Sequence, residues 1–421
     1  MLDLVSAKFR HQIEVCARVG DAGVRNARLE KTAKDREKYW RYWKSLCRIV
    51  GVDPYLDAQR VTWEQKARTS VTFGGIVRRG ICGNGKQVAR GTVTTAFTSV
   101  GQEIAMVRGE NPLKIGNGSS DKYISPIAMM LIGFGNEDPA TEKKLPVDVD
   151  VVELCCELGL MLNATAKDRR VGDLILIAFY YLLRVGEYTC QRRSKRPKRT
   201  KQTVNFRLMD VAFFKKDGEG QLRRMEWSCT AEERLSADGA TLKLTNQKNG
   251  WKNVCVHQHK NKKPRFCPVK ALARVVNDML TFTQDGEEFL SAFKNEKGVV
   301  QHVIAGDISK ALKWAAAEKE YPARRGIPIN LIDTHSLRSG GANALSLAGY
   351  KEHQIQKMGR WNGKTFKEYI SEQLSNFSEG MSEDMSRTFN FVNIAAGGWT
   401  NDITDDMVAS DYEPQLVEEE E

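Results

Sequence analysis

Long apolar runs are absent from this chain: nowhere does it hold the roughly 20 consecutive apolar residues that a membrane-spanning helix requires. Its opening, Met1-Leu2-Asp3-Leu4-Val5, lacks the charged region, apolar stretch and small-residue cleavage site of a secretory signal, so a soluble protein that stays inside the cell is expected. CxxC pairs are missing too. The cysteines stand at 16, 47, 82, 155, 156, 190, 229, 255 and 267, an odd number without repeated spacing, which argues against a disulfide framework and favours reduced thiols. Cys255-x-His257-x-His259, followed by Cys267, comes nearest to a metal set, since strand alternation would put the first three on one face. Without a CxxC beside it, no metal is expected. No internal repeat recurs at the periods of solenoids.

At 421 residues the chain exceeds what one hydrophobic core usually organises, and two domains with a tail are the natural expectation. The formal charge is +11, yet residues 401 to 421 hold nine acidic side chains and no Lys or Arg, so the first 400 residues carry +20. So basic a body suits a polyanion, because neutralising phosphates releases condensed counterions. Charge alone does not separate DNA from RNA or anionic lipid. The acidic tail has too few apolar residues to order itself.

Apolar residues recur at Tyr39, Trp40, Trp43, Leu46, Cys47 and Val50, one face of a helix over 32 to 50. Its other face is basic: Lys31, Lys34, Arg36, Lys38, Arg41, Lys44 and Arg48. Lys34, Arg41, Lys44 and Arg48 are candidates to grip a phosphate backbone, or are simply the solvated side of the helix. Helical patterns follow at 92 to 107 and 126 to 134, so a helical first domain is expected over 1 to 140. Residues 135 to 148 hold two prolines and no periodicity, which marks a linker. Beyond it, helices are expected at 150 to 163 and 171 to 187. Short alternating runs then appear at 204 to 208, 222 to 227, 242 to 244 and 254 to 256, with hairpin signals at Asp217-Gly218 and Asn249-Gly250. Helices resume at 268 to 282, 307 to 318, 334 to 348, 352 to 358 and from Thr365, where Glu368 completes a capping-box spacing. The class is therefore α+β: a helical first domain, then a mainly helical second domain over 146 to 380 with a small antiparallel sheet, then a segment from 381 to 421.

Five side chains fall in an order that phosphodiester chemistry can explain: Arg184 in Leu182-Leu183-Arg184-Val185-Gly186-Glu187-Tyr188, His335 and Arg338 in Thr334-His335-Ser336-Leu337-Arg338-Ser339-Gly340-Gly341, Trp361 after Gly359-Arg360, and Tyr369. His335 and Arg338, three apart on a helix, can reach one phosphate. Arg184 closes an apolar helix, where a charge is costly unless it meets an anion or a carboxylate such as Glu187. Read singly, Arg184 is better explained by a helix-end salt bridge.

In this order the chain resembles the tyrosine recombinase (phage integrase) family over about residues 150 to 375. The strings around Arg184 and His335 are most similar to the eukaryotic Crypton and DIRS-type mobile-element recombinases, and the helical front half is similar to that family's core-binding domain. The resemblance implies a reaction in which the Tyr369 hydroxyl attacks a scissile phosphate of double-stranded DNA, leaving a 3'-phosphotyrosine and a 5'-hydroxyl. It implies that Arg184 and Arg338 hold the non-bridging oxygens through paired donors, that His335 accepts the nucleophile's proton, and that Glu187 orients the arginines. Trp361 stands where many members carry a second histidine; an indole N–H donates but cannot pass on a proton, so it implies hydrogen bonding and packing. A hairpin lysine would protonate the leaving oxygen: Lys248, beside Asn249-Gly250, with Lys252 and Lys243 as alternatives. No metal, ATP or other cofactor is implied. A tetramer on two DNA sites is, with the segment after Tyr369 docking on a neighbouring subunit through Phe377, Met381, Phe389 and Phe391 or folding back on its own domain.

Tyr188 and Tyr350 are the rival tyrosines, but only Tyr369 has the family's spacing after Trp361. Gly80 to Lys86 meets the GxxxxGK part of a phosphate loop, but Gln87 replaces the Ser or Thr and no buried strand precedes it, so a turn is expected. The run 192 to 201 is seven-tenths basic; Arg192, Arg193, Lys195 and Arg196 read as a DNA-phosphate arm, a nuclear localisation signal or a solvated loop. A nuclear protein is expected if the source is eukaryotic, and a cytoplasmic one otherwise. Two other readings remain. A non-catalytic DNA-binding descendant would have lost a catalytic residue, and a type IB topoisomerase would act as a monomer and reseal the same strand.

Overall fold

A computed structural model describes residues 11–13, 15–20, 30–116, 122–140, 143–190, 203–246, 252–361, 363 and 367. The chain divides into two compact units, Met1–Thr141 and Glu142–Glu421. Among the described residues no helix is long and apolar enough to cross a membrane.

In the first unit, helices α1 (Glu30–Val50), α2 (Trp63–Arg78), α3 (Arg90–Arg108) and α4 (Ser125–Glu137) surround one core, and the two-residue strands β1 (Lys114–Ile115) and β2 (Lys122–Tyr123) form a hairpin that a purely helical reading leaves out. Tyr39, Trp43, Leu46 and Cys47 give α1 its inner stripe. The Trp43 indole donates to the Pro54 carbonyl (2.8 Å) and meets Phe73 edge-on, which meets Phe97 in the same way. Arg36 does not belong to the basic face. It is 2% exposed, pairs with Glu103 and donates to Gln102 (3.1 Å). A charge at that depth persists because it is paired. The other expected phosphate contacts on this helix, Lys34, Arg41, Lys44 and Arg48, are all exposed, at spacings of seven, three and four that align them along one side.

α2 has no strong sequence signal, since Thr, Ser and a Gly-Gly pair depress its helix propensity. A Thr62/Gln65 capping box and the burial of Phe73 and Val77 hold it instead. The segment from Gly80 to Lys86 follows this helix and not a strand; it curls on the Gly80 carbonyl, which accepts from the amides of Gly83 (2.8 Å) and Gly85 (3.1 Å).

The second unit runs α5 (Val149–Leu160), α6 (Ala166–Tyr180), α7 (Val185–Tyr188), β3 (Val211–Lys216), β4 (Leu222–Arg224), α8 (Ala231–Leu235), β5 (Gly239–Asn246), β6 (Lys252–His259), α9 (Pro268–Leu280), β7 (Ala292–Lys294), β8 (Val300–His302), α10 (Ala305–Glu318), α11 (Tyr321–Arg325), α12 (Thr334–Leu347) and α13 (Glu352–Gly359). α6 is its central rod, buried from Arg170 to Phe179. Its two buried charges are satisfied: Arg170 donates to the carbonyls of Leu290 (2.7 Å) and Ala292 and pairs with Asp278 (2.6 Å), and Asp173 pairs with Arg274.

The sheet is antiparallel in the order β4-β3-β5-β6. Its first strand is Val211–Lys216, not the expected 204 to 208. That stretch is tied to the helical region, with the Phe206 amide donating to the Glu187 carbonyl (2.9 Å). The turn at Asp217 places its positive φ at Gly220 (81°), where the Asp217 carboxylate gathers the amides of Glu219 and Gln221. β5 and β6 pair from Gly239 opposite His259 to Asn246 opposite Lys252. The hairpin connection with Lys248 lies outside the described residues. So do Arg192, Arg193, Lys195, Arg196, Tyr369, the Thr365 helix and the later apolar anchors.

All nine cysteines are unpaired. Burial pushes the thiols of Cys47, Cys155 and Cys156 up to about 12. Among the described residues no three His, Cys, Asp or Glu side chains are grouped to hold a metal ion. His257 Nδ1 instead lies 2.7 Å from the Thr241 hydroxyl, and Cys267 is buried at the start of α9.

Candidate active site

The helix expected over 171 to 187 is interrupted, and the interruption builds the site. α6 ends at Tyr180, Leu182 turns into the left-handed region (φ 48°), and the chain restarts as α7 with Arg184 at its N-cap. The turn is anchored below by the Tyr181 hydroxyl, which donates to the Ala240 carbonyl of β5 (2.9 Å). It leaves the Tyr181 and Leu182 carbonyls outside any helix, as acceptors in need of donors.

α12 brings one donor. It starts at Asp333, whose carboxylate accepts from the Thr334 amide (2.7 Å), and packs against the end of α6 through two glycines. A Cβ at Gly340 would strike the Val147 carbonyl, and one at Gly341 the Leu182 side chain and the Phe179 carbonyl. At this closeness Arg338, 1% exposed, donates to the carbonyls of Leu182 and Gly359. Its guanidinium lies 4.2 Å from the centroid of the Trp361 ring, a cation–π contact. His335, one turn earlier on α12, is exposed.

The third segment is the end of α13. Trp361 is 5% exposed and packs with Leu182, Ala342 and Ile355. Gly359 is obligatory beneath it, since a Cβ there would overlap the indole ring. Between them Arg360 takes a left-handed conformation (φ 57°, ψ 44°) and turns its guanidinium inward, 1% exposed. It donates to the carbonyls of Tyr181 (3.2 Å) and Leu182 (3.1 Å) and to Glu187 Oε2 (2.9 Å). Burial draws this guanidinium below its ordinary value, opposed by the Glu187 charge beside it.

Glu187 is fully buried and joins the segments. Oε2 also accepts from the Arg184 amide (2.9 Å), and Oε1 lies 3.3 Å from Arg184 Nη1. Arg184 Nη2 reaches the Arg360 carbonyl at 3.5 Å, and its side chain is 23% exposed. Arg184, Glu187, Arg338 and Trp361 are thus brought together, around Leu182 and the turn at 359–361. The paired donors expected of Arg338 are engaged with main-chain carbonyls, and Trp361 supplies packing beneath it. Of the rival tyrosines, Tyr188 is a core residue whose phenol is pushed up by burial and by the nearby Glu187 and Asp333 charges, while Tyr350 is exposed. Lys367, two residues before Tyr369, forms an ion pair with Glu352 at the start of α13 (3.2 Å). Lys243 and Lys252, the alternatives to Lys248, are exposed on β5 and β6.

Arg360 belongs to this cluster without any sign in the sequence pattern beyond its adjacency to Trp361. It stands outside the helix, so periodicity does not mark it.

No protein-family model matches this chain, and no curated protein matches it in sequence. Among solved structures it is similar to the Tn1549 transposon integrase in complex with circular intermediate DNA (14% identity, 87% of this chain and 97% of that one, TM-score 0.44). It is also similar to the XerH site-specific recombinase bound to its difH substrate (14%, 83% and 76%, TM-score 0.41) and to the XerA recombinase (12%, 85% and 100%, TM-score 0.34).

Proposed function

We propose that this chain is a tyrosine-type DNA strand-transferase, a recombinase or integrase serving a mobile element. The observation that supports this most is the meeting of Arg184 and Arg338, 154 positions apart in the sequence, at one pair of turns, with His335 exposed one helical turn from Arg338. Two guanidiniums held in a largely dry setting suit a phosphate whose transition state gathers charge on its non-bridging oxygens.

In this reading the Tyr369 oxygen forms a bond to phosphorus as the bond from phosphorus to the 5'-oxygen breaks. His335 takes the phenolic proton, and Lys248 gives a proton to the departing oxygen. Attack by a 5'-hydroxyl of another strand reverses each transfer and releases the tyrosine. Arg184, the more exposed guanidinium, meets the phosphate; Arg338 adds its charge from behind and trades a carbonyl for a phosphate oxygen as the DNA seats. The Lys34, Arg41, Lys44 and Arg48 stripe of α1 and the basic residues at 192–196 bind the duplex backbone. The working assembly is a tetramer on two DNA sites, in the nucleus if the source is eukaryotic.

Nicked duplexes tiled across the DNA that flanks the chain's own coding sequence test the reaction. A denaturation-resistant protein–DNA adduct is expected from wild type and none from Tyr369→Phe. No adduct from wild type on any duplex, or an undiminished one from Tyr369→Phe, rejects the reading.

A further inference from the structure

Arg360 is paired with the same carboxylate that pairs with Arg184. Glu187 offers Oε1 to Arg184 Nη1, and Oε2 to both the Arg184 amide and Arg360 Nη2. The Arg360 carbonyl, turned by its left-handed backbone, lies 3.5 Å from Arg184 Nη2. Arg360 therefore touches the Arg184 arrangement twice, through its side chain and through its main chain. The same guanidinium also donates to the Tyr181 and Leu182 carbonyls on the turn that presents Arg184. A carboxylate as deeply buried as Glu187 would otherwise put its whole charge on Arg184, drawing that guanidinium inward and weakening its field toward solvent.

From this we infer that Arg360 is a positioning residue for strand cleavage: by taking up part of the Glu187 charge, it leaves the Arg184 guanidinium oriented and electrostatically available to the scissile phosphate. The inference rests on the reaction proposed above. It differs from a purely structural role in one consequence. If Arg360 works by neutralising Glu187, then removing the Glu187 charge compensates for losing Arg360. If Arg360 is only a staple, a second change in the same buried cluster deepens the damage.

The backbone at 360 suits the experiment, because glycine adopts this left-handed conformation without strain and Arg360→Gly removes only the side chain. Single-turnover adduct formation on a nicked duplex would be measured for wild type, Arg360→Gly, Arg360→Lys and Glu187→Gln/Arg360→Gly, with duplex affinity and thermal melting followed for each. Arg360→Gly is expected to slow cleavage about 100-fold, as losing one organised charge contact does, with duplex affinity within about threefold of wild type, since the phosphate-backbone contacts are untouched. Arg360→Lys, which keeps the charge but not the fork, is expected to recover about tenfold of that loss. The double variant is expected to cleave at least about tenfold faster than Arg360→Gly.

Cleavage by Arg360→Gly within threefold of wild type overturns the inference, and so does a double variant no faster than the single one. If Arg360→Gly does not fold, Arg360→Gln, which removes the charge and keeps a donor, decides: folded and cleaving within threefold of wild type, it overturns the inference, whereas a loss of cleavage at unchanged melting temperature upholds it. A wild-type chain that yields no adduct removes the underlying reaction and this inference together, whereas a normal wild-type adduct with an indifferent Arg360 removes the inference alone.

Discussion

Gly359→Ala adds one methyl group where the fold has no room for it. The new Cβ would overlap the Trp361 ring, which is 5% exposed, packed on Leu182, Ala342 and Ile355, and stacked beneath Arg338 at 4.2 Å. The ring must leave its seat, so two terms add. Overpacking a dense core costs about 1–3 kcal/mol, and losing a desolvated cation–π contact costs about 0.5–2 kcal/mol. A central value of about 3 kcal/mol lowers the melting temperature of a unit this size by roughly 6–12 °C. Differential scanning calorimetry of the full chain reads that shift, and adduct formation on a nicked duplex reads the accompanying disturbance of Arg338. A double-variant cycle isolates the cause. In the Trp361→Leu background, where the clashing ring is gone, Gly359→Ala is expected to cost at least about 1 kcal/mol less than in the wild type. A Gly359→Ala chain that melts within 1 °C of wild type and forms adduct at the same rate would refute this packing of the indole.

Arg184→Ala is expected to slow adduct formation about 10²–10³-fold while leaving duplex affinity nearly unchanged; unaltered cleavage with normal affinity would show that this guanidinium does not stabilise the transition state. Reversing Lys44 and Arg48 to Glu on the exposed side of α1 is expected to weaken binding to all duplexes alike and to lower the slope of log affinity against log salt by about 1 for each residue, read by fluorescence anisotropy. Asp238 is held below the usual carboxylate range by the Lys216 amide (2.9 Å) and the Lys260 ammonium. Its stabilising contribution is therefore complete above the unfolded value of about 3.9 and is lost as pH falls through the lower folded value. Asp238→Asn is accordingly expected to be less stable than wild type at pH 7 in urea titrations, with a gap that narrows below about pH 4; a gap independent of pH would contradict the ionic origin.

Much of this architecture is legible in the residues. The stripe of Tyr39, Trp43 and Leu46 announces α1, and the strands around Leu242 and Val254 announce β5 and β6, because each buries one face at a regular period. What stays hidden is set by long-range contact. α2 looks unpromising by propensity and is rescued by a cap and by Phe73. Arg36 reads as one more surface charge until Glu103, on a different helix, is folded against it. The strand Val211–Lys216 is masked in the sequence by the more regular alternation at 204 to 208, a stretch that is instead tied to Glu187. Within the candidate site, Arg184, Arg338 and Trp361 stand out by type and order, and Glu187 through the family resemblance. The break at Leu182 could not, because an uninterrupted apolar pattern gives no sign that the helix stops, and without the break the place of Arg360 has no meaning.

The carbonyls of Leu182 and Tyr181 wait for donors that lie more than 150 residues further along, at Arg338 and Arg360. During synthesis, then, the basic α1 and the whole first unit leave the ribosome well before the proposed cleavage centre can close. In the proposed function, a nascent chain ending ahead of residue 338 would carry the basic helix without a closed site, so the order of these segments along the chain itself delays the proposed chemistry until Arg338 and Arg360 have both been made.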